Sequence, residues 1–316
     1  MPAVPRILVV AWLAVVAAAV TVGHPTVIST RLKGEPLPSQ AIETRAEEVE
    51  GYTQVFGPQK GATGDHGFMD YKNLTSYDVE ACATFCNEQP ADHNGGACRF
   101  FNIYSWEIQA NDESSVVKCS MYFDVSDASE ATNFGEPDGS IVNSKGYRRK
   151  SLLPDGGFEN FNCPAGPDSD FCWTNKTSTW TGISSGPFTD ASIFYYRPSG
   201  DSQPYARSGS RVGVLGEVTQ RDDLPGTLRT ANPLDTIAGK QYVITFFHRS
   251  WFSDGDDLGF VEVRWNEDVV LANQQGTSDW TYHEVPVTAA GEDVLEFHGG
   301  KAPAWSFIDD VDVFEK

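Results

Sequence analysis

The sequence predicts a mainly β protein: a small α+β domain stapled by disulfides, followed by a larger β-sandwich. Three observations carry this. The chain of 316 residues has room for two domains. Its 29 glycines and 18 prolines punctuate many short apolar runs and leave few long helical patterns. Its six cysteines fall as a cluster of four, Cys82, Cys86, Cys98 and Cys119, and a later pair, Cys163 and Cys172.

Residues 1–23 carry one cation, Arg6, ahead of an unbroken apolar stretch from Ile7 to Val20, with small residues at Ala17, Ala19 and Gly23. That is the pattern of a cleaved signal peptide, and the stretch is short for a membrane span of roughly 20 residues. No second apolar segment follows, so no span is expected after cleavage. Residues 24–50 are polar and proline-containing, end in an acidic run, and read as a flexible leader.

An even cysteine count in a secreted chain reads as disulfides. Zinc is the rival, but no C-x-x-C pair and no histidine cluster accompanies them. Secretion also gives meaning to Asn73 and Asn175, each followed two residues on by Thr, as glycosylation acceptors.

The formal charge is -21, and residues 1–23 contain one Arg and no acid, so cleavage makes the chain more acidic. Nucleic acid and anionic membranes are poor partners for such a surface; neutral sugars, cations or basic proteins suit it.

In residues 51–150, Thr75 is placed to cap a helix running to about Glu88, with Asp78 at its third position. Val79, Cys82 and Cys86 then share one face. Cys98–Tyr104 and Val116–Phe123 alternate as strands, with Cys98 and Phe100 on one side of the first and Val117, Cys119 and Met121 on one side of the second. The helix with C-x-x-x-C (82–86), the strands CRFFN (98–102) and KCSM (118–121), and the closing GYR (146–148) resemble the PAN/Apple module family. That resemblance implies Cys82–Cys119 and Cys86–Cys98 pairing, binding to proteins or carbohydrates, and no chemistry of its own. The stretch Asn111–Ser115 and the loop Asp124–Gly139 are looser than the family pattern.

The basic strip Arg148, Arg149, Lys150 and the turn from Pro154 mark a boundary near residue 151. In residues 151–316, strand-like runs at 191–197, 210–215, 241–248, 259–265, 280–287 and 294–298 predict a sandwich. GGFE (156–159) near its start, Trp280 to Tyr282 late, and FIDDV (307–311) at its end resemble the jelly-roll, galactose-binding-like carbohydrate-binding modules appended to cellulases and xylanases. The pairing of the two modules resembles secreted fungal proteins.

The second resemblance implies a structural calcium ion where first and last strands meet, with Glu159, Asp309 and Asp310 at the matching positions. Alternation along the last strand puts Asp309 on the face of Val311 and Val313, where a lone carboxylate is costly and a cation would relieve it. Asp254 to Asp257 form a second acidic cluster without EF-hand spacing, and read as a solvated turn.

Sugar rings lay their C–H faces on flat aromatics. Trp180, Trp265 and Trp280 lie in strand-like runs and are expected in the core. Trp173, Trp251 and Trp305 lie in turn-rich stretches. Trp251 and Trp305 are the candidate platform, with Trp173 as a further contact and Tyr195 and Tyr196 lining a groove. Catalysis has little support: no G-x-S-x-G elbow or H-E-x-x-H helix is present, and the histidines are scattered. The expected function is a secreted, non-catalytic, glycan-binding or cell-wall-associated protein, its partner an extracellular or cell-wall polysaccharide. The alternative is an extracellular structural or protein–protein interaction protein without sugar binding.

Overall fold

A computed structural model describes residues 49–108, 115–163, 171–197, 205–255 and 258–316. The expected signal peptide, most of the expected leader, most of the stretch 111–115 and Asp256 and Asp257 lie outside the described residues. The architecture is mainly β, an α+β portion followed by a β-sandwich.

The first portion is one antiparallel sheet in the order β1-β6-β3-β4-β2, from β1 (Tyr52–Gln59), β2 (Phe68–Leu74), β3 (Phe100–Ile108), β4 (Ser115–Tyr122) and β6 (Gly139–Arg149). The short β5 (Gly135–Glu136) pairs with β6. Helix α1 (Val79–Glu88) lies against it and buries Val79, Cys82, Ala83 and Cys86. The helix starts later than the Thr75 cap implies. Asp78 is the cap, its Oδ1 accepting the Ala81 N–H at 2.9 Å. Tyr77, just before it, donates its hydroxyl to the carbonyls of Ile103 and Asn143, which ties residues 75–78 to the sheet rather than to the helix.

The disulfides are Cys82–Cys119, Cys86–Cys98 and Cys163–Cys172. Under the helix pack Phe101, Ile103, Val117, Met121 and Tyr147. Phe100 does not share the face of Cys98 as its spacing suggests. It packs on the far side with Phe56 and Tyr122, because β3 begins only at Phe100 and strand alternation does not reach back through Arg99. Val49, at the end of the expected leader, is buried in the core beneath the helix.

The second portion is a sandwich of two antiparallel sheets. One runs β15-β12-β17-β10-β9-β7, from β7 (Phe171–Thr174), β9 (Ala191–Tyr196), β10 (Arg211–Leu215), β12 (Gln241–Trp251), β15 (Thr281–Thr288) and β17 (Trp305–Glu315). The other runs β14-β13-β16-β11-β8, from β8 (Trp180–Ser184), β11 (Gly226–Thr230), β13 (Gly259–Trp265), β14 (Asp268–Gln275) and β16 (Leu295–Gly299). Between them lies the main core, with Phe158, Trp180, Ile244, Phe246, Val263, Trp265, Phe297, Ile308, Val311 and Val313 among its residues. Trp180 is wholly buried between Phe158 and Phe297, and its Nε1 donates to the Asp155 carbonyl at 2.8 Å.

The described residues belong to one compact unit. The small sheet joins the sandwich through cations. Arg99 Nε sits 3.1 Å from Asp312 Oδ2, the Arg149 guanidinium lies 4.4 Å over the Phe314 ring, and Arg207 donates to the Asn94 carbonyl and to Asp310.

Candidate functional site: the outer face of the aromatic sheet

Strand alternation decides what each sheet face offers. Along β12, Tyr242, Ile244 and Phe246 point into the core, which leaves Phe247, Arg249 and Trp251 on the outer face. On β17, Ile308 points in and Phe307 and Trp305 point out; on β10, Val212 and Val214 point out. The outer surface therefore gathers Val212, Val214, Trp305 and Phe307 with Phe194, Tyr205, Trp251 and Trp280 packed against them.

The rings form a connected floor. Tyr205 is its hub: it lies parallel to Phe307 (5.5 Å, 8°), edge-on to Trp251 (5.9 Å) and Phe194 (5.8 Å), and 4.8 Å from Tyr196. Phe252 stands edge-on to both Trp251 and Trp305 and is 52% exposed. Towards β7, Phe171 lies parallel to Trp173 (5.9 Å, 5°) and is 51% exposed. A shallow cleft of about 80 Å³ opens among Phe194, Tyr205, Val214, Val218, Trp305 and Phe307. It is smaller than a pyranose, so a ring would lie across the face rather than enter it.

Two polar features set the floor's geometry. Trp305 Nε1 donates to the Glu217 carbonyl at 3.0 Å, which fixes the indole plane. The Arg249 guanidinium lies 3.6 Å over Trp251 while its Nε reaches the Ser278 carbonyl. Burial pulls the Arg249 guanidinium below its ordinary value, with Asp279 opposing that. Burial and the neighbouring Tyr196 raise the Tyr205 hydroxyl, so it is a neutral donor or acceptor at physiological pH.

The sequence candidates meet this face unevenly. Trp251 and Trp305 come together, as directly paired residues of β12 and β17. Both lie in strands rather than turns, as does Trp173 in β7. Trp305 is 8% exposed, so it supports the floor more than it offers a surface. Tyr195 and Tyr196 do not line one groove: as consecutive strand residues they take opposite faces, Tyr195 against the core and Tyr196 beside Tyr205. Trp180 and Trp265 are core residues, whereas Trp280 is half-buried on the outer face. Sequence reasoning missed Tyr205, Phe194, Phe307 and Phe252. Phe194 and Phe307 were visible as strand residues whose inward neighbours set their face; Tyr205 lies in a loop and carried no such signal.

The three carboxylates of the calcium expectation flank one segment, residues 207–211, and each faces its donors. Glu159 accepts from the backbone N–H of Ser210 and Arg211 and pairs with the Arg211 guanidinium at 2.7 Å. Asp310 accepts from Arg207 and from the Ser208 hydroxyl. Asp309 accepts the N–H groups of Arg207 and Asp310 at 2.8 Å each, and of Ser208 at 3.3 Å. It does not share the face of Val311 and Val313: a bulge between β12 and β17, with Asp310 at φ 49°, turns Asp309 to the outer side. Burial and the neighbouring Asp310 raise its carboxyl well above the ordinary range. No group of three or more His, Cys, Asp or Glu side chains stands together as metal ligands among the described residues, and a cation here would have to displace these N–H and O–H donors.

No family model matches the chain, and no characterised protein sequence matches it. Among solved structures, the carbohydrate-binding module TmCBM61 in complex with beta-1,4-galactotriose is 16% identical at a TM-score of 0.33, covering 53% of this chain and 99% of its own. A CBM4 module is 14% identical at 0.28, covering 52% and 99%. A cyclase from Fischerella sp. TAU is 14% identical at 0.36, covering 52% and 95%. Likenesses this slight transfer no residue's role to this chain.

Proposed function

We infer that this is an extracellular, non-catalytic glycan-binding protein, and that its sugar site is the outer face of the sheet containing β12 and β17. One observation carries the reading: Tyr205, Trp251, Phe252, Phe194 and Phe307 form a connected, partly exposed aromatic floor on a sheet face. Such a face offers the C–H sides of sugar rings the flat contact they bind best, and the Arg249 guanidinium and the Tyr205 hydroxyl supply polar groups within it. The cleft is lined by apolar and aromatic side chains, which suits holding a ring and provides no acid–base pair to cleave one. The disulfides and the exposed acceptors Asn73 and Asn175 fit an oxidising, extracellular setting. The first portion we read as PAN/Apple-like.

The test is a glycan array and an insoluble-polysaccharide pull-down of the mature protein, with calcium and with chelator. Trp251→Ala and Tyr205→Ala should each weaken capture at least tenfold, because each removes a stacking surface, while Phe134→Ala, an exposed ring on the other portion, leaves capture unchanged. Absence of capture of any glycan by folded protein would overturn the reading in favour of a protein-interaction role.

A further inference from the structure

A cavity of about 350 Å³ opens beside helix α1 and shares no lining residue with the aromatic floor. Glu80, Ala83, Thr84 and Asn87 line it from one side of the helix, together with Tyr52 of β1 and Arg149 of β6. Tyr52 and Arg149 are directly paired across the two strands, so their side chains share a sheet face. That face is the helix side. Tyr147, two residues before Arg149, packs in the core under the helix, and the Tyr52 hydroxyl donates to Asn87 Oδ1 at 2.9 Å.

Arg149 is 7% exposed, yet no carboxylate among the described residues pairs with its guanidinium. The group lies over the Phe314 ring, and one Nη donates to the Glu315 carbonyl at 3.2 Å. Burial pulls it below its ordinary value, and Tyr52, Tyr282, Asp312 and Glu284 offset that only in part. A buried guanidinium with most of its five donors unused is costly, and a carboxylate answers it best, since two oxygens match the fork. The helix side of the cavity offers partners of both kinds. Asn87 accepts from Tyr52 and keeps its NH₂ to donate; Thr84 donates to the Glu80 carbonyl and keeps its lone pairs to accept. Three cations (Arg149, Lys150, Lys316) and three carboxylates (Glu50, Glu80, Glu315) line the wall. Glu50 and Glu315 are further held by Lys240, so this wall carries no excess of negative charge on a chain of charge -21.

We propose that this cavity binds a hexuronic acid, with the sugar's carboxylate on Arg149 and its hydroxyls on Thr84, Asn87 and Glu80. The volume stands at the lower end of small-molecule pockets, about 300–1,000 Å³, which suits a single pyranose. A neutral sugar would leave the guanidinium unanswered. Phosphate would bring a second negative charge beside Glu80 and leave the hydroxyl partners unused. One carboxylate on a hydroxylated ring answers both demands, and the fork of Arg149 sets the selection for the acid. The site is separate from the aromatic floor and does not rest on it.

The experiment is calorimetric titration of the full-length protein with D-galacturonate and D-glucuronate, beside D-galactose, acetate, phosphate and glycine. Arg149→Lys keeps the charge and loses the fork. Thr84→Phe, at an exposed helix position, fills the cavity without touching Arg149, and carries the test alone if Arg149→Lys fails to fold. The expected result is one uronate bound per chain, with no heat from galactose at the same concentration. Arg149→Lys should weaken uronate binding about tenfold or more, and Thr84→Phe should abolish it while Tm stays at the wild-type value. Binding undiminished in either folded variant would overturn the proposal, as would no uronate bound by the wild type. Galactose, acetate, phosphate or glycine binding as tightly as the uronates would overturn it too, by removing the need for either the acid or the ring. Both variants lie outside the aromatic floor, so failure here is distinct from failure of polysaccharide capture there.

Discussion

At the residue scale, the histidine at position 248 shows how strand parity turns a scattered sequence feature into a determinant of stability. It points from β12 into the space between the sheets and is wholly buried. Its Nδ1 faces the side-chain amides of Asn273 and Gln275 at 3.4 and 3.3 Å, and its Nε2 has no partner. Burial, and secondly His283, pulls its pKa down to about 3, and burial lowers His283 as well. An unfolded histidine takes its proton near pH 6.5, whereas the folded one refuses it until about pH 3. The unfolded state therefore binds more protons in that window, and stability is full above pH 6.5 and falls as pH drops towards 3, by up to about 1.4 kcal/mol per unit from this group. Urea midpoints at pH 7, 5 and 4 should fall less steeply in His248→Gln than in the wild type; identical slopes would show that the ring is protonated within the fold. Little of this was legible in the sequence. His248 could be placed in a strand, but its inward direction depends on the sheet it joins, and its solitary Nε2 on the opposite sheet.

At the scale of elements, local chemistry placed the helix and its staples well and missed its first turn. Val79, Cys82 and Cys86 lie on one buried face, as their spacing requires. The observed cap is Asp78 rather than Thr75, since the Tyr77 hydroxyl is drawn to two sheet carbonyls, a long-range demand that no local pattern records. Asp78→Ala should cost about 1 kcal/mol, and hydrogen exchange should quicken first at the Ala81 amide, whose acceptor is lost. Unchanged exchange there would mean that the cap contributes nothing beyond solvent. Among the strands, β9, β10, β12, β13, β15, β16 and β17 were marked by apolar runs, though β12 continues through Trp251. The solvent-facing β14, with Asp268, Val269 and Val270 exposed, breaks the apolar pattern that would have announced it. The aromatic floor was half legible for the same reason: Trp251 and Trp305 stand out as residues, but Tyr205 reaches the floor from a loop.

At the scale of the whole molecule, the small sheet and the sandwich are joined mainly through charge. Asp312 is buried on β17; burial raises its carboxyl while Arg99 of the other portion lowers it, and Asp312 in turn raises Arg99. Arg207 adds a second bridge, donating to the Asn94 carbonyl across the junction and to Asp310 on its own side, with its guanidinium 3.5 Å over Phe247. A buried ion pair gains little over an apolar pair of the same shape, yet losing one partner strands the other charge. Arg99→Met should therefore destabilise the protein by about 3 kcal/mol, and Arg99→Met with Asp312→Leu should recover most of that loss, a non-additivity that a double-mutant cycle in urea reads directly. The same junction sets cooperativity. With both bridges intact the two portions should unfold in one transition, and Arg99→Met combined with Arg207→Met should split it into two, the disulfide-stapled sheet separating from the sandwich. A single transition persisting in that double variant would show that the remaining contacts, Tyr282 and Phe247 against Gly96 and the Arg149 guanidinium over Phe314, are enough to couple the two portions.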